Sequence, residues 1–109
     1  MKKTSMILFL AVSLCLYGTV SFAKEKTNGA SGKELFKQHC SACHPDGGNI
    51  INQKKTLHKK DLDSNNIKKP GDIMRIMRNP GPGMTKFDEK AVADRDAKKI
   101  AEYILKTFK

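Results

Sequence analysis

The chain has 109 residues, with Lys and Arg outnumbering Asp and Glu by 21 to 11, a formal net charge of +10. With 39% hydrophobic residues, 6% aromatics and no Trp, it can build one domain around a modest core, and such a core normally needs a staple, a metal or a cofactor. That size excludes most freestanding enzymes, and a composition neither dominated by Pro and Gly nor starved of aliphatic residues excludes wholesale disorder.

Lys2 and Lys3 open the chain, Met6 to Tyr17 is apolar but for Ser13, and Ser21-Phe22-Ala23 sets small residues where a signal peptidase cuts. These features predict a secretory signal peptide over residues 1–23, cleaved after Ala23, and delivery to the periplasm. The apolar run falls short of the about 20 residues a membrane-spanning helix needs, so no stable membrane insertion is expected after cleavage. Cys15 follows Leu14, where a lipoprotein would carry a small residue, and is read as part of the discarded leader. Taking 23 residues from 109, two lysines among them, leaves 86 residues at a formal charge of +8.

Residues 24–30 are polar and aperiodic, which predicts a flexible arm before a domain spanning 31–109. Ser31 and Glu34 have the spacing of a capping box, and Leu35, Phe36, His39, Cys40 and Cys43 recur at helical intervals, predicting a first helix that ends around Cys43. Pro45-Asp46-Gly47-Gly48-Asn49 is a turn cluster, followed by a loop to Asn66 with room for one short helix. A second main helix starts at Pro70-Gly71-Asp72, lines up Ile73, Met74, Ile76 and Met77, and stops at Asn79-Pro80. Pro80-Gly81-Pro82-Gly83 then makes a stiff, irregular strap. Asp94 and Asp96 suit the positive end of a last helix whose apolar stripe is Ala97, Ile100, Ala101, Ile104 and Phe108. No alternating strand pattern and no repeat is present, so the fold class is all-α.

Cys40-Ser41-Ala42-Cys43-His44, after a helical segment in an exported chain, has the C-x-x-C-H form of a c-type haem attachment site. Two thiols one helical turn apart can reach the two vinyl groups of one haem as thioethers, and the next residue presents an imidazole to the iron. A zinc site would need four ligands, and beyond Cys40, Cys43 and His44 only His39 and His58 remain. A thioredoxin-like redox pair would need a βαβ context that the pattern lacks.

For the other face of the iron the candidate is Met84, presented directly after the strap. Met74 and Met77 sit among isoleucines at helical spacing and read as core packing. His39 and His58 are rivals. His39 is expected to point away from the haem plane set by His44, and His58 lies in a lysine-rich loop.

Gly32-Lys33-Glu34-Leu35-Phe36, the Cys40 to His44 motif, and Gly83-Met84-Thr85-Lys86-Phe87 followed by Tyr103-Ile104-Leu105 resemble a class I cytochrome c. Within that class, Gly47 to Asn52 leading to Lys54-Lys55-Thr56-Leu57 and Asp61-Leu62 is similar to the cytochrome c6 (c-553) branch. The resemblance implies three to four helices wrapped around one covalently bound haem c, with His44 and Met84 as the axial pair. It also implies a crossing of the first and last helices at Gly32, Phe36, Ile100 and Tyr103. The Asn79-Pro80-Gly81-Pro82 insert and the strong basicity depart from the photosynthetic c6 pattern, which weighs against photosystem I as partner.

Protein ligands on both sides of the iron leave one-electron transfer as the function, with no catalytic residues. A haem-based small-ligand or redox sensor with a displaceable methionine is the alternative, and a diheme peroxidase would need a second attachment motif. Lys54, Lys55, Lys59, Lys60, Lys68 and Lys69 cluster between the haem motif and the strap. They make either a merely solvated loop or a basic face for redox partner proteins with acidic docking surfaces, such as an oxidase, a reductase or a multihaem cytochrome. Nucleic acid is excluded by export, and a monomer is expected.

Overall fold

The leader, Cys15 and most of the arm lie outside residues 29–109, the ones the structure, a computed structural model, describes. Ser31 caps the first helix, α1 (Gly32–His39): its hydroxyl accepts the Glu34 N–H at 3.3 Å while the Glu34 carboxylate accepts the Ser31 N–H at 2.7 Å. Burial of Leu35 and Phe36 fixes which face of α1 turns inward. The helix is four residues shorter than its periodicity predicts. The Phe36 carbonyl takes the N–H groups of both Cys40 and Ser41, and the Ser41 hydroxyl donates back to the Lys37 carbonyl, so the regular ladder stops at His39.

The chain then forms a short 3₁₀ turn (Pro45–Gly47) and a loop leading to α2 (Lys59–Ser64), the one short helix for which the sequence leaves room. Helix α3 (Pro70–Arg78) begins with proline at its first position, and the Asp72 carboxylate accepts the Lys68 and Lys69 N–H groups at 3.0 Å each. Ile73 and Met77 are its buried pair. Helix α4 (Asp94–Thr107) carries Asp94 and Asp96 in its first turn and buries Ala97, Ile100, Ala101 and Ile104, with Phe108 just past its end.

Helix α4 is the hub, since α1 and α3 both pack on it. At the α1 crossing Gly32 brings the backbones together, with the Lys99 carbonyl and Tyr103 in the space a Cβ would fill. The Phe36 ring then stacks at 5.4 Å from Tyr103 and 5.3 Å from Phe108. Leu62 of α2 and Val92 join the same core. The described residues contain four α-helices and no strand, and no helix among them is long and apolar enough to cross a membrane.

Candidate haem site

The C-terminal end of α1 delivers the motif. Cys40 caps the helix, and a further turn closed by the Cys43 and His44 N–H groups on the Cys40 carbonyl keeps both thiols and the imidazole together. Cys40 is half-buried and Cys43 exposed. Burial, with the neighbouring Cys43 thiol second, pushes the Cys40 thiol up to about 11, so at neutral pH it is held as S–H. The His44 Nδ1 lies 2.7 Å from the Gly48 carbonyl oxygen. A carbonyl can only accept, so Nδ1 carries the proton and Nε2 keeps its lone pair free for a metal.

One cavity of about 420 Å³ collects the four residues singled out in the sequence: Cys40, Cys43, His44 and Met84 all line it. Its apolar wall is made by Leu57 and Ile67 on either side of α2, Ile73, Ile76 and Met77 from α3, and Ile100 and Ile104 from α4, with polar residues such as Asn49, Asn52 and Arg75 also lining it. This is a donor set on apolar walls, the arrangement expected for an apolar macrocycle that holds a metal at its centre. Among the described residues no three His, Cys, Asp or Glu side chains gather in a way that could hold a bare metal ion.

Two loops complete the cavity. In the first, Asn49 works as a bracket: its Nδ2 donates to the Lys55 carbonyl at 2.8 Å, and its Oδ1 accepts the Ile51 and Asn52 N–H groups at 3.0 and 2.8 Å. In the second, the strap reaches Gly83 at φ +89°, a left-handed conformation that favours glycine, and Met84 follows immediately. The two loops meet where Ile51 packs against Gly83.

Met77, expected to be core, is buried and also lines the cavity. His39 is among the residues that line the same cavity, its ring edge-on to Phe87 at 6.1 Å. His58 is exposed at the start of α2, against the edge of Phe108. The bracket role of Asn49 and the position of Arg78, which donates to the Phe87 carbonyl, were not foreseen. Asn49 sits in the turn cluster, where Asn is common for many reasons, and Arg78 looks like any cation at a helix end. All six clustered lysines are exposed, Lys59 pairing with Asp63 at 3.0 Å, and Ile50 and Ile51 are each 61% exposed beside them.

Comparison with known proteins adds the following. A family model described as cytochrome C oxidase, cbb3-type, subunit III, matches residues 27–104. The chain is 36% identical to cytochrome c6 of Porphyra purpurea over 107 residues, covering 96% of this chain and 94% of that one. It is 33% identical to cytochrome c6 of Cyanidium caldarium over 101 residues, covering 93% and 91%. Among solved structures it is similar to OmcF, the outer membrane cytochrome F of Geobacter sulfurreducens, with TM-score 0.70, 43% identity, and coverage of 72% of this chain and 100% of that one.

Proposed function

Because this chain belongs to the cytochrome c family, on its c6-like side, we propose that it is an exported, monomeric carrier of single electrons whose iron is held between His44 and Met84. Covalent haem c comes with the family, and when bound it supplies uptake and release of one electron at iron. The observation that carries the proposal is the convergence of Cys40, Cys43, His44 and Met84 on one apolar cavity.

Each residue has a defined part. Cys40 and Cys43 tie the group to the chain. His44 offers Nε2 because Gly48 holds its other nitrogen as the donor. Met84 would supply the second ligand, and a thioether in largely apolar surroundings would favour the reduced state and raise the potential over that of two histidines. Two protein ligands leave no position for a substrate, which favours a carrier over an enzyme. The exposed lysines and the apolar Ile50 and Ile51 beside the cavity suit brief docking onto an acidic partner, an oxidase, a reductase or a multihaem cytochrome. Residues 1–23 serve as the leader, cut after Ala23, and 31–109 form the haem domain in the periplasm. A relative named for the outer membrane supports a location outside the cytoplasm.

Intact mass of the protein recovered from the periplasm of a haem-attaching bacterium reads cleavage and attachment together. The expected mass is that of residues 24–109 plus one haem. Carbon monoxide added to the reduced protein is expected to leave its spectrum unchanged. Ready binding would instead favour a small-ligand sensor.

A further inference from the structure

We propose that Arg78 is a positioning residue for Met84: its guanidinium locks the loop that carries the thioether, and so sets how easily a foreign ligand reaches the iron. The inference rests on Met84 as the distal ligand and deepens that reading.

Helix α3 ends at Arg78, and the loop that follows touches the core at Met84 and again at Phe87. Both backbone groups of Phe87 are tied to the end of α3. Its N–H donates to the Met77 carbonyl at 2.9 Å, and its carbonyl accepts from Arg78 Nη1 at 2.9 Å. The same guanidinium reaches Asp94 Oδ1 through Nη2 at 2.6 Å. One side chain thus joins the last turn of α3, the returning end of the loop and the first turn of α4. Its side chain is only 24% exposed, against 64% for Asp94.

Inside the loop the restraint is of another kind. Pro80 and Pro82 stiffen the path, but the Met84 N–H lies 3.5 Å from the Gly81 carbonyl, a long and weak contact. Beyond the contact of Gly83 with Ile51 and the packing of Met84 on the core, the strap has little internal bonding, so its position also depends on where its ends are pinned. A foreign ligand would have to displace Met84, and any movement of the loop that carries it is resisted at the Phe87 end by Arg78. A guanidinium serves a carbonyl and a carboxylate at once through a planar, preorganised fork, whereas an ammonium is a compact charge whose three donors turn on a flexible stem and hold the two directions less rigidly.

The test is imidazole titration of the ferric holoprotein, followed by loss of the far-red charge-transfer band of sulfur ligation. Apparent affinity rises in proportion to the population of the open loop. Arg78→Gln, which removes a charge-assisted hydrogen bond, is expected to bind imidazole about tenfold more tightly than wild type. Arg78→Lys falls between the two, and Asp94→Asn shifts in the same direction by less. Leu105→Ala, destabilised near the end of α4 at a side chain that packs on the core but does not line the cavity, is expected to keep the wild-type affinity.

An Arg78→Gln affinity equal to wild type overturns the inference, as does an equal gain in Leu105→Ala, which would mean general loosening. If Arg78→Gln does not fold, Asp94→Asn decides: tighter binding supports the clamp and unchanged binding overturns it. A wild type without the far-red band overturns the Met84 reading and the clamp with it. A band that is present with affinities that do not move overturns the clamp alone.

Discussion

Replacing Gly32 with alanine tests the crossing that sets α1, and with it the haem motif, against the rest of the fold. A Cβ at position 32 would lie 2.9 Å from the Tyr103 Cβ and 3.0 Å from the Lys99 carbonyl carbon, and closer still to the Lys99 carbonyl oxygen. These atoms are backbone, or the first atom of a side chain, so no rotamer change relieves them and the two helices must part. Overpacking of this kind costs about 1–3 kcal/mol, and a rigid backbone neighbour places it in the upper half of that range. Alanine returns at most about 1 kcal/mol of helix propensity, which leaves a net loss of about 1–2 kcal/mol. The assay is urea denaturation of the holoprotein followed by far-ultraviolet circular dichroism, with Gly71→Ala as control. Gly71 is also in the first turn of a helix, but nothing lies within 4 Å of its Cβ position, so that variant is expected to be level with wild type or up to about 1 kcal/mol more stable. A Gly32→Ala protein no less stable than Gly71→Ala would refute the close-approach argument.

Other outcomes follow from the same geometry. Cys43→Ala is expected to retain haem through Cys40 alone, with the alkaline pyridine spectrum shifted to that of a single thioether, and an unshifted spectrum would rule out attachment at Cys43. Asn49→Ala removes three hydrogen bonds that shape the loop beside the cavity and is expected to cost about 1–3 kcal/mol by urea denaturation. Acid should weaken the start of α1. Hydrogen bonds from the Ser31 N–H, then the Ser31 hydroxyl, hold the Glu34 carboxyl below its ordinary range. A carboxyl lowered in the folded state stabilises it above about pH 4, and that contribution fades as the pH falls through the lowered value. The urea midpoints of wild type and Glu34→Ala should therefore converge on acidification, and a gap that stays constant would contradict the assignment.

What was legible in the sequence was carried by short-range signals. The capping box at Ser31 and Glu34 spans three residues, the stripe from Ala97 to Ile104 repeats within one helix, and the haem motif is five consecutive residues. Each expresses its physics locally: the capping box and the stripe are present as read, and the two cysteines and the histidine of the motif line one cavity. Met84 was reachable because the strap announces a constrained presentation. The end of α1 was less visible, since the Phe36 carbonyl shared by two N–H groups and the Ser41 hydroxyl on Lys37 compete with a periodicity that runs on to Cys43. The Arg78, Phe87 and Asp94 contacts join three segments across the fold, and nothing in the spacing of those residues separates a clamp from an ordinary surface cation.

The central claim is that His44 and Met84 together saturate the iron. Both Met77 and Met84 line the cavity, so the optical spectrum of the oxidised protein should be recorded for wild type, Met84→Ala and Met77→Ala. The expected result is a far-red charge-transfer band in wild type and Met77→Ala that is absent from Met84→Ala. A wild type without the band, or a band that survives in Met84→Ala, would contradict it.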